Sequence, residues 1–531
     1  MGSTPKAFPQ ATARTRRKPG RKVLAASILL LWFATVGLQV RREVFQPELA
    51  RMEEAALFLS PGVNFFTLEA QGRSVGLATS RLDTVPEGFV LEDFMSLELP
   101  ALGQTGRAVV RTEVEVSKAL VMQSFVFSLD SEVGKYEARG TVEGDTLLTV
   151  ELDSGSGVET LVQPLDEPPV FAAMVPIRVA IGEGLEVGQR VQVPVFDPST
   201  LSNRTVDVEV LDHDTLVVAD SAAMDAETGR WAPAHYDSIP AWKIAEVFGG
   251  LSIESWIDQD GRVLSAESPV GFSMRKTEYE LARQAQEDAR ADGGGGLEGD
   301  VILSTAIQSS VILGDLEDRE EVRYLLSGVD LTGFDLDGGR QELRGDTLIV
   351  RRDPWSETEA GYELPYKRMD LRESLAAEPL IQSDHELIHE RARTVTSGLF
   401  RKRNPKVVAE RLTSHVHGFL EKKITLSVPS ALQVLEAGAG DCNEHTVLYV
   451  ALARSLGLPT RTAVGLAYVD GAFYYHAWPE VWMGEWFAVD PTFGQTPADA
   501  GHIRFVVGGL AQQIEIARLI GRLKIEVLEA E

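Results

Sequence analysis

From about Gly62 to Arg275, apolar and polar residues alternate with a period of two, interrupted by turn formers and rich in β-branched side chains. Val109–Val116 (VVRTEVEV), Arg190–Val195 (RVQVPV) and Thr205–Val210 (TVDVEV) each present one apolar and one polar face, as half-buried strands do. A local echo recurs as Asp145-Thr146-Leu147-Leu148, Asp214-Thr215-Leu216-Val217 and Asp346-Thr347-Leu348-Ile349. Each copy predicts a turn that hands over to a strand, and their irregular spacing fits hairpins in antiparallel sheets rather than a solenoid. The alternation stops over Ala282–Asp300, where charged helical residues run into Gly293-Gly294-Gly295-Gly296. That composition predicts a flexible connection. Beyond it, Glu321–Val329 and Arg344–Arg352 read as strands of a smaller β unit.

At about Pro379 the pattern turns helical. Ser383 is placed to cap a helix to about Gly398, and Asn404-Pro405 supply a cap and a first-turn proline for another to about Leu420. A short helix over Ser430–Leu435 leads to Gly438-Ala439-Gly440-Asp441-Cys442, and the next runs Cys442–Leu456 before Gly457. Strands follow at Arg461–Tyr468, Phe473–Trp482 and Trp486–Val489. Helices first and antiparallel strands after predict an α+β domain.

The 18-residue apolar run Val23–Val40 changes this picture, because as a helix it reaches about 27 Å, enough to cross a thin bilayer core. Nine of the 51 basic residues and none of the 79 acidic ones lie within residues 1–42, most of them before the run. The positive-inside rule then places a basic tail (1–22) in the cytoplasm, a membrane helix at 23–40, and everything after Arg42 outside the cell membrane, in the periplasm if the cell is bacterial. A cleaved signal peptide fits less well, since the run is long and no small-residue cleavage site follows. The net charge of −28 leaves no basic face for nucleic acid. At 531 residues the chain needs more than one core. The expected division is a β-rich extracytoplasmic domain (45–285), a Gly-rich linker (286–300), a small β unit (301–375) and the α+β domain (376–531).

There is one cysteine, Cys442, so no intramolecular disulfide forms. A glycine-rich turn delivers it to a helix N-terminus, where free N–H groups and the dipole favour thiolate and can hold an oxyanion. His476, in the strand Phe473-Tyr474-Tyr475-His476-Ala477-Trp478, can exchange a proton with it. Asp490 ends the next strand after a turn through Met483-Gly484-Glu485, which predicts its carboxylate beside the imidazole.

Four segments appear in family order. These are Gly440-Asp441-Cys442-Asn443-Glu444-His445; Leu452-Ala453-Arg454-Ser455-Leu456-Gly457-Leu458-Pro459-Thr460-Arg461; Tyr475-His476-Ala477-Trp478-Pro479-Glu480-Val481-Trp482; and Trp486-Phe487-Ala488-Val489-Asp490-Pro491-Thr492. Together they resemble the transglutaminase-like superfamily over roughly residues 380–531. The resemblance implies a papain-like fold with Cys442 as nucleophile, His476 as general base and acid, and Asp490 as orienter. It also implies a peptide or protein substrate and no cofactor. The tryptophan that animal transglutaminases carry upstream of the cysteine is missing, since none lies between Trp355 and Cys442. Ser430 and Gln433 are candidates to replace its oxyanion contact, and Glu444 and His445 are candidates to support the helix N-terminus. Tyr474, Tyr475 and Trp478 are candidates to shield the thiol, while Trp482 and Trp486 read as core. The expected enzyme is a membrane-anchored cysteine peptidase, amidase or acyltransferase, with hydrolysis favoured over cross-linking. A catalytically silent binding scaffold is the alternative from another class.

A rival motif is His385-Glu386-Leu387-Ile388-His389, which on a helix would set two imidazoles on one face for zinc, with Glu410 as a distal third ligand. Its flanks Asp384, Glu390 and Arg391 are charged, and Ala392 and Val395 stand where the extended motif needs glycine and histidine. A solvated helix face explains it as well. Arg401-Lys402-Arg403 and Lys406 read as a solvated loop before a capped helix.

Overall fold

The two arms of the N-terminal sheet meet where its first and last strands pair. The computed structural model describes residues 52–530 apart from 55, 58, 102–103, 145, 156, 183–184, 249–250, 270, 292–304, 315, 317–318 and 402. Strand Gly62–Ala70 lies antiparallel to Phe272–Thr277, with Phe65 opposite Thr277 and Ala70 opposite Phe272. From that seam eight strands run outward in sequence order to Val158–Pro164, and seven run outward on the other side to Val170–Phe171. The alternating pattern sets the faces: Val114 and Val116 are buried, while Glu113 and Glu115 face solvent. Val114, Phe125, Tyr136 and Leu148 of one arm share a core with Val195, Val208, Ile244 and Ile257 of the other. The helix Val175–Gly182 contributes Val175, Ile177 and Val179 to the same core, so the twisted sheet curves around it.

The echo of Asp-Thr repeats behaves differently at its middle copy. Strands begin at Leu147 and Thr347, but Asp214–Val217 lies inside a 23-residue strand, Ser202–Met224. Asp214 pairs with Ala241 and Thr215 with Pro240, and the register slips between Val210 and Asp212. A bulge absorbs the irregularity that a turn was expected to take.

The expected linker begins later than its composition suggests. Residues through Ala291 form the helix Tyr279–Ala291, which docks on the sheet. Arg290 donates to Glu98 at 2.8 and 2.9 Å, and Gln284 exchanges hydrogen bonds with the Trp231 backbone. The Gly-rich remainder and the apolar run 23–40 lie outside the described residues. Among those described, no helix is long and apolar enough to cross a membrane.

The strands expected to form a small β unit belong to the C-terminal architecture. Ile307–Gln308 pairs with Ala472 and Phe473 at the edge of a five-stranded sheet, whose other strands are Thr460–Val469, Ala472–Trp482, Trp486–Ala488 and His502–Val507. Glu321–Ser327, Gln341–Arg344 and Thr347–Arg351 form a second sheet closed by the C-terminal strand Lys524–Ala530. Val322, Tyr324 and Leu348 pack in one core with Val464, Phe473, Ile503 and Phe505. A shared core explains why residues 301–375 do not stand apart. The helices Glu386–Thr396, Pro405–Phe419, Ala431–Ala437 and Cys442–Ser455 build the remaining layer around Ile388, Leu412, Val434, Leu448 and Leu452.

The two parts touch directly. Ser430 Oγ donates to the Ser154 carbonyl at 3.2 Å, and Gln382 Nε2 donates to Ser154 Oγ at 3.0 Å. Val428 joins the N-terminal core. The segment leading to Cys442 is thus gripped by the β domain.

Candidate active site

The residues just before Cys442 set the turn that places it at the start of its helix. Gly438 ends the preceding short helix in the left-handed region at φ 66°. At Gly440 a Cβ would meet the Glu444 Cβ at 2.2 Å, so the chain passes only without a side chain. Asp441 then caps the helix: its Oδ1 accepts the Asn443 N–H at 2.8 Å, while Glu444 Oε2 accepts the Asp441 N–H at 3.0 Å. Glu444 is further held by Thr425 and Ser427 hydroxyls at 2.7 and 2.5 Å. His445, fully buried, bonds the Asp441 carbonyl through Nδ1 at 2.7 Å. Glu444 and His445 therefore fix the turn that carries the cysteine.

The helix docks on strand Ala472–Trp482 at a gap in its outer edge. Ile307–Gln308 covers residues 472–473 and Trp486–Ala488 covers residues 480–482, which leaves the middle of that edge open. There the Ala477 N–H reaches the Cys442 sulfur and the Ala477 carbonyl accepts the Thr446 hydroxyl at 3.1 Å. His476 is the adjacent residue. Its Nε2 meets Asp490 Oδ2 at 2.7 Å, so Nδ1 is the ring nitrogen not committed to that carboxylate. Glu480 pairs with Ala488, so the antiparallel return brings Asp490 to His476 as the spacing predicts. The N–H groups of Thr492 and Phe493 hold Asp490 Oδ1 at 2.6 and 3.0 Å. Burial by itself would raise the Asp490 carboxyl, but His476 and His502 together hold it far below its ordinary value.

The thiol differs from the sequence expectation. Burial pushes Cys442 well above the usual thiol range, the Asp441 carboxylate adds to this, the Ala477 N–H opposes it, and Glu444 and Asp490 push it up again. Helix-terminal N–H groups are outweighed by an enclosed site with three carboxyl groups around the sulfur. These effects favour the neutral thiol over the thiolate, so its reaction calls for a base.

Several other expectations change on geometry. Ser430 is spent capping its own helix and bonding Ser154, and Gln433 Nε2 donates to the Lys135 carbonyl of the β domain, so neither is free to be an oxyanion donor. Tyr475 lies against Cys442, which raises its phenol beyond the effect of burial. The shield over the imidazole is a residue the sequence reading passed over. Phe493 stacks on His476 at 4.7 Å and 8°, while Trp478 lies behind at 6.0 Å. Its place two residues past Pro491 was the available signal. His502 and Asp499 were also missed: His502 Nε2 sits 2.9 Å from Asp490 Oδ2, and its Nδ1 sits 2.9 Å from Asp499 Oδ1.

The rival motif does not form its helix face. His385 rather than Ser383 caps Glu386–Thr396, with its Nδ1 accepting the Leu387 N–H at 3.2 Å. That leaves His385 outside the helix bearing His389. Glu410 accepts the Trp355 indole N–H at 2.8 Å. Arg403 donates to the Leu364 carbonyl at 3.1 Å and Lys406 to the Trp355 carbonyl, so both tie down the preceding loop. Trp482 and Trp486 pack together at 5.2 Å under Arg461. Among the described residues the group close enough for a metal is His476, Asp490 and His502, whose atoms already stand at hydrogen-bond distances.

A cleft of about 540 Å³ lies beside the cysteine helix. Asn443, Thr446 and Ala477 line one side, and Leu161, Thr200 and Leu201 of the β domain line the other.

Residues 394–491 match the model of the transglutaminase-like superfamily, a span that contains Cys442, His476 and Asp490. No curated protein matches the chain. Three solved structures overlap parts of it. A candidate cysteine protease from Cytophaga hutchinsonii is 16% identical over 43% of this chain and 86% of its own, at a TM-score of 0.26. A β-barrel-like protein of a domain of unknown function from Brucella abortus is 15% identical over 41% of this chain and 94% of its own, at 0.28. The periplasmic domain of TgpA from Pseudomonas aeruginosa, bound to ethylmercury, is 16% identical over 33% of this chain and 74% of its own, at 0.23. Likeness at this level assigns no activity. The family match does identify the fold around Cys442: residues 394–491 are a transglutaminase-like domain.

Proposed function

We propose that this chain is a membrane-anchored, extracytoplasmic cysteine acyl-transfer enzyme that hydrolyses peptide or side-chain amides through a thioester. The observation that carries the reading is the 2.7 Å contact of His476 Nε2 with Asp490 Oδ2, on the strand whose next residue meets the Cys442 sulfur. With Nε2 committed to Asp490, Nδ1 takes the thiol proton as sulfur attacks the amide carbonyl. The negative charge passes to the carbonyl oxygen, and because Asp441 already takes the Asn443 N–H, the Cys442 N–H is the backbone donor we assign to it. Collapse expels the amine, which leaves with the proton from His476. Water, deprotonated by His476, then attacks the thioester and returns the thiol and a carboxylic acid.

The interdomain cleft suits an extended chain, because both domains contribute walls and its acidic member Glu378 is already paired with Arg454 at 2.6 Å. Anchoring rests on the apolar run 23–40 and its basic flank. Hydrolysis is favoured over cross-linking because water needs only the face vacated by the amine, whereas amine transfer needs a second sheltered pocket. The test is a glutamine-containing peptide pool with and without a labelled primary amine. Cys442-dependent release of new carboxylates exceeding label incorporation is expected, and the reverse ratio would make the chain a cross-linker. Turnover unchanged in Cys442→Ala would leave a binding scaffold.

A further inference from the structure

Asp490 serves two histidines, and only one of them is needed for the chemistry above. Its Oδ1 accepts two backbone N–H groups, and its Oδ2 faces Nε2 of both His476 and His502. Four donors fill a carboxylate, so Asp490 has no room for a proton of its own. Asp499 takes three donors rather than four, and they hold its carboxyl ionised, lowered to about 2. Its Oδ1 accepts the Gly501 N–H at 2.9 Å, its Oδ2 accepts Gln495 Nε2 at 2.8 Å, and its Oδ1 also faces His502 Nδ1. A ring nitrogen with a lone pair toward either oxygen would be repelled. His502 must donate from both nitrogens, which makes it a buried imidazolium between two carboxylates.

From this geometry we infer that His502, held charged by Asp499, is a positioning residue for the Asp490–His476 pair. The inference rests on the catalytic reading of that pair. The cluster of Asp490, His502 and Asp499 carries one net negative charge, the same as an isolated Asp490. Asp490 can therefore still stabilise the imidazolium that His476 becomes in the transition state. What His502 adds is a fixed carboxylate: Oδ2 cannot rotate away or take a proton, so Nε2 of His476 keeps its hydrogen and Nδ1 stays presented to Cys442. Asp499 prevents the added cation from cancelling the charge Asp490 supplies.

Among the described residues the nearby buried cation is Arg340, which donates to the Ala498 and Asp499 carbonyls and pairs with Asp353 at 3.5 Å. Trp478, Phe493 and the His476 ring pack against His502 at 5.2, 5.9 and 5.6 Å. Arg504, two residues on, is turned to Glu480 and Asp335. Burial opposes the charge on His502, but Asp499 and Asp490 outweigh it and raise the group to about 9.

The test uses full-length protein with ring-15N histidine, titrated from pH 7 to 10, alongside the rate of Cys442 alkylation by iodoacetamide. One histidine, absent in His502→Gln, is expected to hold protons on both ring nitrogens at pH 7.5 and lose one near pH 9. Asp499→Asn should lower that titration, and with it the upper pH limit of alkylation, by about one unit, while slowing alkylation at pH 7.5 about tenfold. A neutral His502 at pH 7.5 in the parent protein overturns the inference whether or not Cys442 proves catalytic. So does a titration unmoved in Asp499→Asn. Alkylation indifferent to His476→Ala would instead defeat the catalytic reading, leaving the charge state of His502 measured on its own.

Discussion

The two halves of the molecule bury different things. In the N-terminal sheet the fully buried side chains are almost all apolar, with Thr112, Ser128 and Ser255 among the few polar exceptions. Its ion pairs sit in solvent, as in Arg190–Glu209, exposed at 76% and 38%. The C-terminal part buries Glu444, His476, Glu480, Asp490, His502 and Arg504. Each of these has a hydrogen-bond or ion-pair partner: Glu480 bonds Arg504 at 3.0 Å and Arg461 at 2.8 Å. Charge inside a protein is costly unless matched, so a domain that keeps so much of it devotes its interior to holding particular groups in place. The first half is held by hydrophobic burial, and the second by matched internal charge around the turn that carries Cys442.

The largest expected effect breaks that matched charge at its centre. Asp490→Asn keeps the shape but lets His476 take the wrong tautomer, and turnover should fall about a thousandfold or more with little change in KM. Steady-state kinetics on any hydrolysed peptide measures it. A loss below tenfold would mean that Asp490 does not orient the base.

Next comes stability. Glu480→Ala removes the buried partner of Arg504 and leaves it only the half-exposed Asp335, which should cost about 3 kcal/mol in denaturant unfolding, whereas Glu209→Ala should change it by less than about 0.5 kcal/mol. Equal effects would erase the contrast between the halves.

The smallest effect comes from an exception within the sheet. Burial, opposed by a bond from Ser255, raises Glu246 to about 7. The native state then holds a proton that the unfolded chain has released between about pH 4.5 and 7, so stability falls as pH rises through that window. Asp499, lowered to about 2, acts in the opposite direction: its contribution is present above 3.8 and is lost as pH drops toward 2. Glu246→Gln should raise the unfolding temperature at pH 8 and leave it unchanged at pH 4.5, by calorimetry. An equal rise at both would assign the gain to packing.

The same contrast decides what was legible in the sequence. Strands such as Val109–Val116 announce themselves because one face meets water, and Cys442, His476 and Asp490 stand in recognisable order. The pairing of Gly62–Ala70 with Phe272–Thr277 leaves no local trace, since register across 200 residues depends on how the whole sheet curves. The small β unit looked separate because its closing strand, Lys524–Ala530, comes at the far end of the chain. His502 and Asp499 were missed because nothing in their spacing says which carboxylate a buried imidazole will find. Their i,i+3 placement around the tight turn at Gly501, just past the Asp490 turn, is the trace to look for.

The measurement closest to the central claim is the intact mass of the full-length protein after brief exposure to a peptide pool and acid quench. The account predicts an acyl adduct on Cys442, removable by hydroxylamine as a thioester and missing in both Cys442→Ala and His476→Ala. An adduct that forms equally in His476→Ala, or on any residue other than Cys442, would contradict it.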